Sequence, residues 1–127
     1  MTALAGGVSH PSAQFRVTGD SVSGRVADFN DLQVTDFNSK APKFWSDGNP
    51  MMQTRVTLEL DSGDKVSLFV KPGRMTKAVR EAIKAAGAKD IDEDGRLTVT
   101  FTGEEPGKGG QPAKCFTAVY EPYEPPL

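Results

Sequence analysis

The chain is poor in the residues from which catalytic and metal sites are most often built. It has one cysteine, Cys115, and one histidine, His10, in 127 residues. A single cysteine cannot close an internal disulfide, which fits a reducing compartment. Without a second histidine or cysteine, a zinc site or a nucleophile–base pair has no partner residues. Cys115 lies in a strand-like stretch and reads as a small apolar residue. No apolar run approaches the roughly 18 residues that a membrane span needs. No phosphate-loop or dinucleotide fingerprint is present. Asp90, Asp92, Asp94 and Gly95 match the first half of a calcium loop, but Phe101 stands where that loop needs its bidentate glutamate. The segment therefore reads as a solvated acidic turn. These absences argue against an enzyme, a metal, a cofactor and a membrane protein.

What is present is the makeup of one globular β domain. Hydrophobic residues are 37% and charged residues 25%, ordinary for a soluble fold. The 13 glycines and nine prolines fall mostly between apolar runs, as turns between strands would place them. Residues 1–14, which lack a charged signal-like start, are expected as a disordered leader. Residues 15–121 then form the domain, and 122–127, rich in proline, an extended tail.

Period-2 alternation marks five strands. The first spans Gly19 to Val34, with Val22, Val26, Leu32 and Val34 on one face. Gly24 suggests a bend or bulge in it, and Asn30-Asp31 an interruption. The second spans Met51 to Leu60, with Met52, Val56, Leu58 and Leu60 inward. The turn Asp61-Ser62-Gly63-Asp64 joins it to the third, Lys65 to Lys71, with Val66, Leu68 and Val70 inward. After Pro72-Gly73, the apolar residues Met75, Ala78, Val79, Ala82, Ile83 and Ala86 recur at helical spacing. Lys77, Arg80, Glu81 and Lys84 take the opposite face, and Gly87 is placed to end the helix. The fourth strand is Arg96 to Thr102 and the fifth Lys114 to Tyr120, with a glycine-rich loop, Gly103 to Pro112, between them. The order β-β-β-α-β-β predicts an all-β domain with one helix, a five-stranded barrel of the OB type. An open α+β sheet is the competing architecture.

Charge is uneven along the chain. From Lys40 to Lys84 there are nine basic and five acidic residues, whereas the remainder holds six basic and twelve acidic. A basic zone inside an acidic protein permits a local polyanion site. The segment Lys40 to Pro50 carries Phe44, Trp45 and two lysines, Lys40 and Lys43, and joins the first two strands. In OB folds that loop borders the ligand groove. Aromatic rings stack on bases without reading sequence, and lysines beside them neutralise phosphates. Either ring could instead close one end of the barrel. Phe69 points by parity away from the core, beside Arg55 and Lys71. It is a second stacking candidate, or a residue covered by the loop Phe37 to Pro50 or by a dimer contact. Lys114, with the loop before it, adds a cation from the other side of the groove.

The run Lys43-Phe44-Trp45-Ser46-Asp47-Gly48-Asn49-Pro50-Met51, the helix segments Lys77 to Ala82 and Ala85 to Ala88, the strand Leu97 to Thr102 and Pro112-Ala113-Lys114 resemble a family of small proteins encoded by phages of actinobacteria. The resemblance covers most of Gly19 to Tyr120. It implies an OB-like fold and single-stranded DNA binding in phage replication or recombination, in the host bacterial cytoplasm. It also implies a homodimer or higher oligomer that meets phage or host replication proteins. The short, mildly acidic end Glu121 to Leu127 departs from the long acidic tails of bacterial single-strand binders. The expected DNA-binding residues are Lys40, Lys43, Phe44, Trp45, Arg55, Phe69, Lys71 and Lys114. The alternatives are an OB-fold protein-interaction module, a virion decoration protein, and RNA in place of DNA.

Overall fold

The computed structural model describes residues 10–36 and 38–123. Residues 1–9 of the expected leader, Phe37, and 124–127 of the expected tail lie outside them. Five strands and one helix follow in the expected order: β1 Ser21–Gln33, β2 Met52–Glu59, β3 Lys65–Val70, α1 Arg74–Ala85, β4 Arg96–Pro106 and β5 Pro112–Glu121. The strands form one antiparallel sheet in the order β3-β2-β1-β4-β5. Strand β1 serves both halves of it. Ser21 to Arg25 pair with β4, and Arg25 to Gln33 pair with β2. This is the OB arrangement, with helix and sheet sharing one core.

That core follows the alternation. Val26, Val56, Leu58, Leu68, Leu97 and Val99 are almost wholly buried, and Phe101, Tyr120, Val79 and Ala82 join them. The helix ends as its sequence requires. Gly87 has φ +74°, its N–H reaches the Lys84 carbonyl, and the Ala88 N–H reaches that of Ile83. These two bonds close a Schellman motif, for which a residue without Cβ suits the left-handed position.

The structure corrects four expectations. The bulge in β1 lies between Val26 and Asp28, not at Gly24. One inserted residue moves every later side chain to the other face. Phe29 therefore stands opposite the buried Val56, while Leu32 and Val34 leave the Val26 face. Gly24 serves a close approach instead, since a Cβ there would sit 2.7 Å from the Glu59 carbonyl oxygen. Second, Asn30-Asp31 does not interrupt β1, because both residues pair with β2. Third, Met52 keeps inward parity but lies beyond the end of the core and is exposed. Fourth, half of the expected loop Gly103 to Pro112 is strand. A bulge between Phe101 and Gly103 lets β4 run on to Pro106, and the turn shrinks to Gly107–Gln111 around a short 3-10 segment.

The segment before β1 is more ordered than the leader boundary at residue 14 anticipates. Strands β3 and β5 are the two edges of the sheet and do not pair with each other. Open edges leave backbone donors and acceptors without partners. Residues 11–15 run along the β3 edge. Ser67 N–H donates to the Pro11 carbonyl and Ala13 N–H to the Ser67 carbonyl, each at 2.8 Å. Phe15 is buried, its ring edge-on to Phe116 of β5 at 5.3 Å. Lys114 of β5 donates to the Phe15 carbonyl at 2.6 Å. A short extended segment thus bridges the gap between the two edge strands.

Candidate nucleic-acid interface

The ribbon formed by β1 and β2 continues past the sheet as an irregular hairpin, residues 34–51. Bridges pair Thr35 with Pro42 and Phe44 with Pro50. Lys43 N–H donates to the Val34 carbonyl and Met51 N–H to that of Lys43. The Asp36 carboxylate accepts from the N–H groups of Ser39 and Asn38, and these bonds hold its pKa below the ordinary carboxylate value. At the tip, Trp45 N–H donates to the Asn49 carbonyl, and the Asp47 carboxylate accepts from both nitrogens of Asn49. Gly48, at φ +91°, makes the turn. The hairpin is tied at both ends yet packs little apolar surface. Phe44 is 56% exposed and Trp45 47%, so neither ring closes the barrel. Lys40 and Lys43 are exposed on the same hairpin.

Three expected residues, Phe69, Lys71 and Lys114, meet in a cleft of about 660 Å³ where β3 faces β5 across residues 12–16. Arg16 and Arg74 line it too, and no carboxylate does. Lys114 spends one of its donors on Phe15 and lies 5.3 Å from the centre of the Phe101 ring. Arg74 pairs with Glu105 at 2.8 Å, a bond that raises its pKa further and keeps it charged. Its guanidinium also reaches the Cys115 sulfur at 3.3 Å. Sequence reasoning missed Arg16 and Arg74. Arg74 could have been suspected from its place three residues after Lys71, across the Pro72-Gly73 turn. Arg16 carries no such signal, because only the bridging of the sheet edges brings it there.

Arg55 lies elsewhere. It stands on the outer sheet face, in a row with Asn30 and Phe69 across β1, β2 and β3, and its Nε donates to the Asn30 side chain at 3.1 Å. Trp45 lines a separate groove of about 550 Å³ with Met52, Pro72, Lys77 and Arg80. The expected site is therefore divided between the hairpin, the outer sheet face and the cleft between β3 and β5.

At the β2–β3 turn the arginines are neutralised. Arg25 pairs with Glu59 at 3.1 Å and with Asp94, and Arg96 pairs with Asp61 at 2.9 Å. The bonds to Glu59 and Asp94 raise the Arg25 pKa further. Around the start of α1, Arg74 pairs with Glu105 and Lys77 lies 4.0 Å from Glu81, while among the described residues no ion pair engages Lys71 or Arg80. The first turn of α1 there carries no acidic residue and no side-chain cap.

Among the described residues no helix is long and apolar enough to cross a membrane, and no group of three metal-ligating side chains converges. No protein-family model matches the chain, and neither the curated proteins nor the solved structures yield a match.

Proposed function

We propose that this chain binds single-stranded DNA without sequence preference and without catalysis, in phage DNA replication or recombination. One observation carries the reading: a cleft lined by Arg16, Lys71, Lys114 and the Glu105-paired Arg74, with no carboxylate among its lining residues and half-buried Phe69 in its wall. A polyanion with flat apolar bases fits that lining. Lys71, Lys114 and Arg16 neutralise phosphates, Arg74 stays at the cleft's edge paired with Glu105, and Phe69 stacks a base. The exposed pair Phe44 and Trp45, beside Lys40 and Lys43, takes further nucleotides. Stacking contributes about 1–3 kcal/mol per base and tolerates any base, because every base has a π-face. The phage setting rests on the resemblance of the Lys43 to Met51 run and the helix segments.

Trp45 is the only tryptophan, so its fluorescence reports on the hairpin directly. Titration with oligo-dT at low salt is expected to quench it saturably, and added salt to reverse the quenching. An unchanged emission together with no shift of a labelled oligonucleotide would refute the reading.

A further inference from the structure

Three clefts adjoin one another along α1. The cleft between β3 and β5 shares Pro72 and Gly73 with the Trp45 groove. The Trp45 groove shares Thr76 and Arg80 with a third cleft, of about 880 Å³, between α1 and the β1–β2 ribbon. Phe29 stands in that third cleft, 37% exposed, with Val56, Val70 and Ile83 behind it. The bulge of β1 put it there. A ring on the inner face of a strand is normally core, and this one lies open to a groove edged by Arg80, Lys84 and Lys89.

We infer that the bound strand follows this path. It leaves Phe69, crosses the Pro72-Gly73 turn to Trp45, and runs along the basic face of α1 to a third base position at Phe29. The inference rests on the single-strand reading above and deepens it. It differs from the route across the outer face of β2 and β3, which an OB fold would suggest from topology alone. Charge favours the helix route. The outer-face cation Arg55 is partly buried and bonded to Asn30. Arg80 and Lys84 are exposed along α1, and among the described residues no ion pair engages them. The acidic residues along the path have partners of their own. Glu81 lies 4.0 Å from Lys77, the Asp31 carboxylate accepts from the Thr54 hydroxyl, and that of Asp90 from the Ile91 N–H. An aromatic ring lines each of the three clefts, and cations accompany each, which is the alternation a stacked and neutralised strand requires.

The experiment compares oligo-dT of about 5 and about 15 nucleotides, which span much of the site-size range of OB folds. The proteins are the wild type, Phe29→Ala, Arg80→Glu and, as an outer-face charge control, Lys65→Glu. Circular dichroism checks folding, and Arg80→Glu lies on an exposed helix position outside the core. The wild type should bind the longer oligonucleotide more tightly. Phe29→Ala should weaken that binding roughly tenfold while leaving the shorter one unchanged, and Arg80→Glu, at a position that also borders the Trp45 groove, should weaken the longer strand at least as much. Lys65→Glu should match the wild type at both lengths. Wild-type affinity for the longer strand in Arg80→Glu, or a loss in Lys65→Glu equal to that in Arg80→Glu, overturns the helix route and leaves single-strand binding standing. A wild type that binds neither length overturns both.

Discussion

The Lys114 ammonium donates to the Phe15 carbonyl at 2.6 Å, joining residues 99 positions apart. The bond fastens residues 11–15 to β5, as the Ser67 backbone fastens them to β3. One side chain therefore both helps to bridge the sheet edges and lines the cationic cleft.

Lys114→Ala should loosen that bridge. A hydrogen bond to a charged group contributes about 1.5–3 kcal/mol, and less at a position this exposed. A loss of about 1 kcal/mol would lower Tm by roughly 3–6 °C. Differential scanning calorimetry of both proteins reads the shift. An unchanged Tm would mean that the Phe15 carbonyl finds water as good a partner.

Gly95→Ala should be destabilising out of proportion to its size. A Cβ there would lie 2.5 Å from the Tyr120 hydroxyl oxygen and 2.9 Å from two ring carbons. Tyr120 is buried and accepts the Asp92 N–H at 2.8 Å, so the ring cannot yield without breaking that bond. Overpacking of this kind costs about 1–3 kcal/mol. The midpoint of urea unfolding should fall accordingly.

Acid should loosen two turns before it melts the core. The Asp20 carboxylate accepts the N–H groups of Val17 and Arg16, which lower its pKa from the ordinary 3.8, and Asp36 is lowered by Ser39 and Asn38 in the same way. A carboxylate with a depressed folded pKa contributes stability above its unfolded value, and this is lost as pH falls through the folded one. Tm of the wild type should therefore decline below about pH 4, while Asp20→Asn should start lower and decline less. Thermal melts from pH 7 down to pH 2 would show this. Parallel curves for the two proteins would exclude a role for Asp20.

Salt should report the count of cations engaged. For single strands the slope of log K against log salt is about −0.7 per neutralised phosphate. Lys71→Ala should reduce the magnitude of that slope by about 0.7 and weaken binding to all base compositions alike. Fluorescence titrations at several salt concentrations measure both effects. A slope identical to that of the wild type would remove Lys71 from the site.

Much of this was legible before the structure. Alternation located β2 to β5 within a few residues, because period 2 is set by the pleat itself. The apolar spacing of Met75 to Ala86 marked the helix, and Gly87 its end. Phe44 and Trp45 could be singled out by type, though not by exposure. The Phe29 position could not be read, because one residue inserted at the bulge reverses parity and leaves no mark in composition.

The sequence by itself determined the strands, the helix and the basic middle of the chain, since these depend on local periodicity and on counting. Tertiary structure decided which cations share a cleft. Arg16, the turn from Lys71 to Arg74, and Lys114 come from three separate stretches of chain, and they meet because residues 11–15 are held between the Ser67 backbone of the β3 edge and the Lys114 side chain of β5. Those hydrogen bonds act across the whole fold, and no local pattern encodes them.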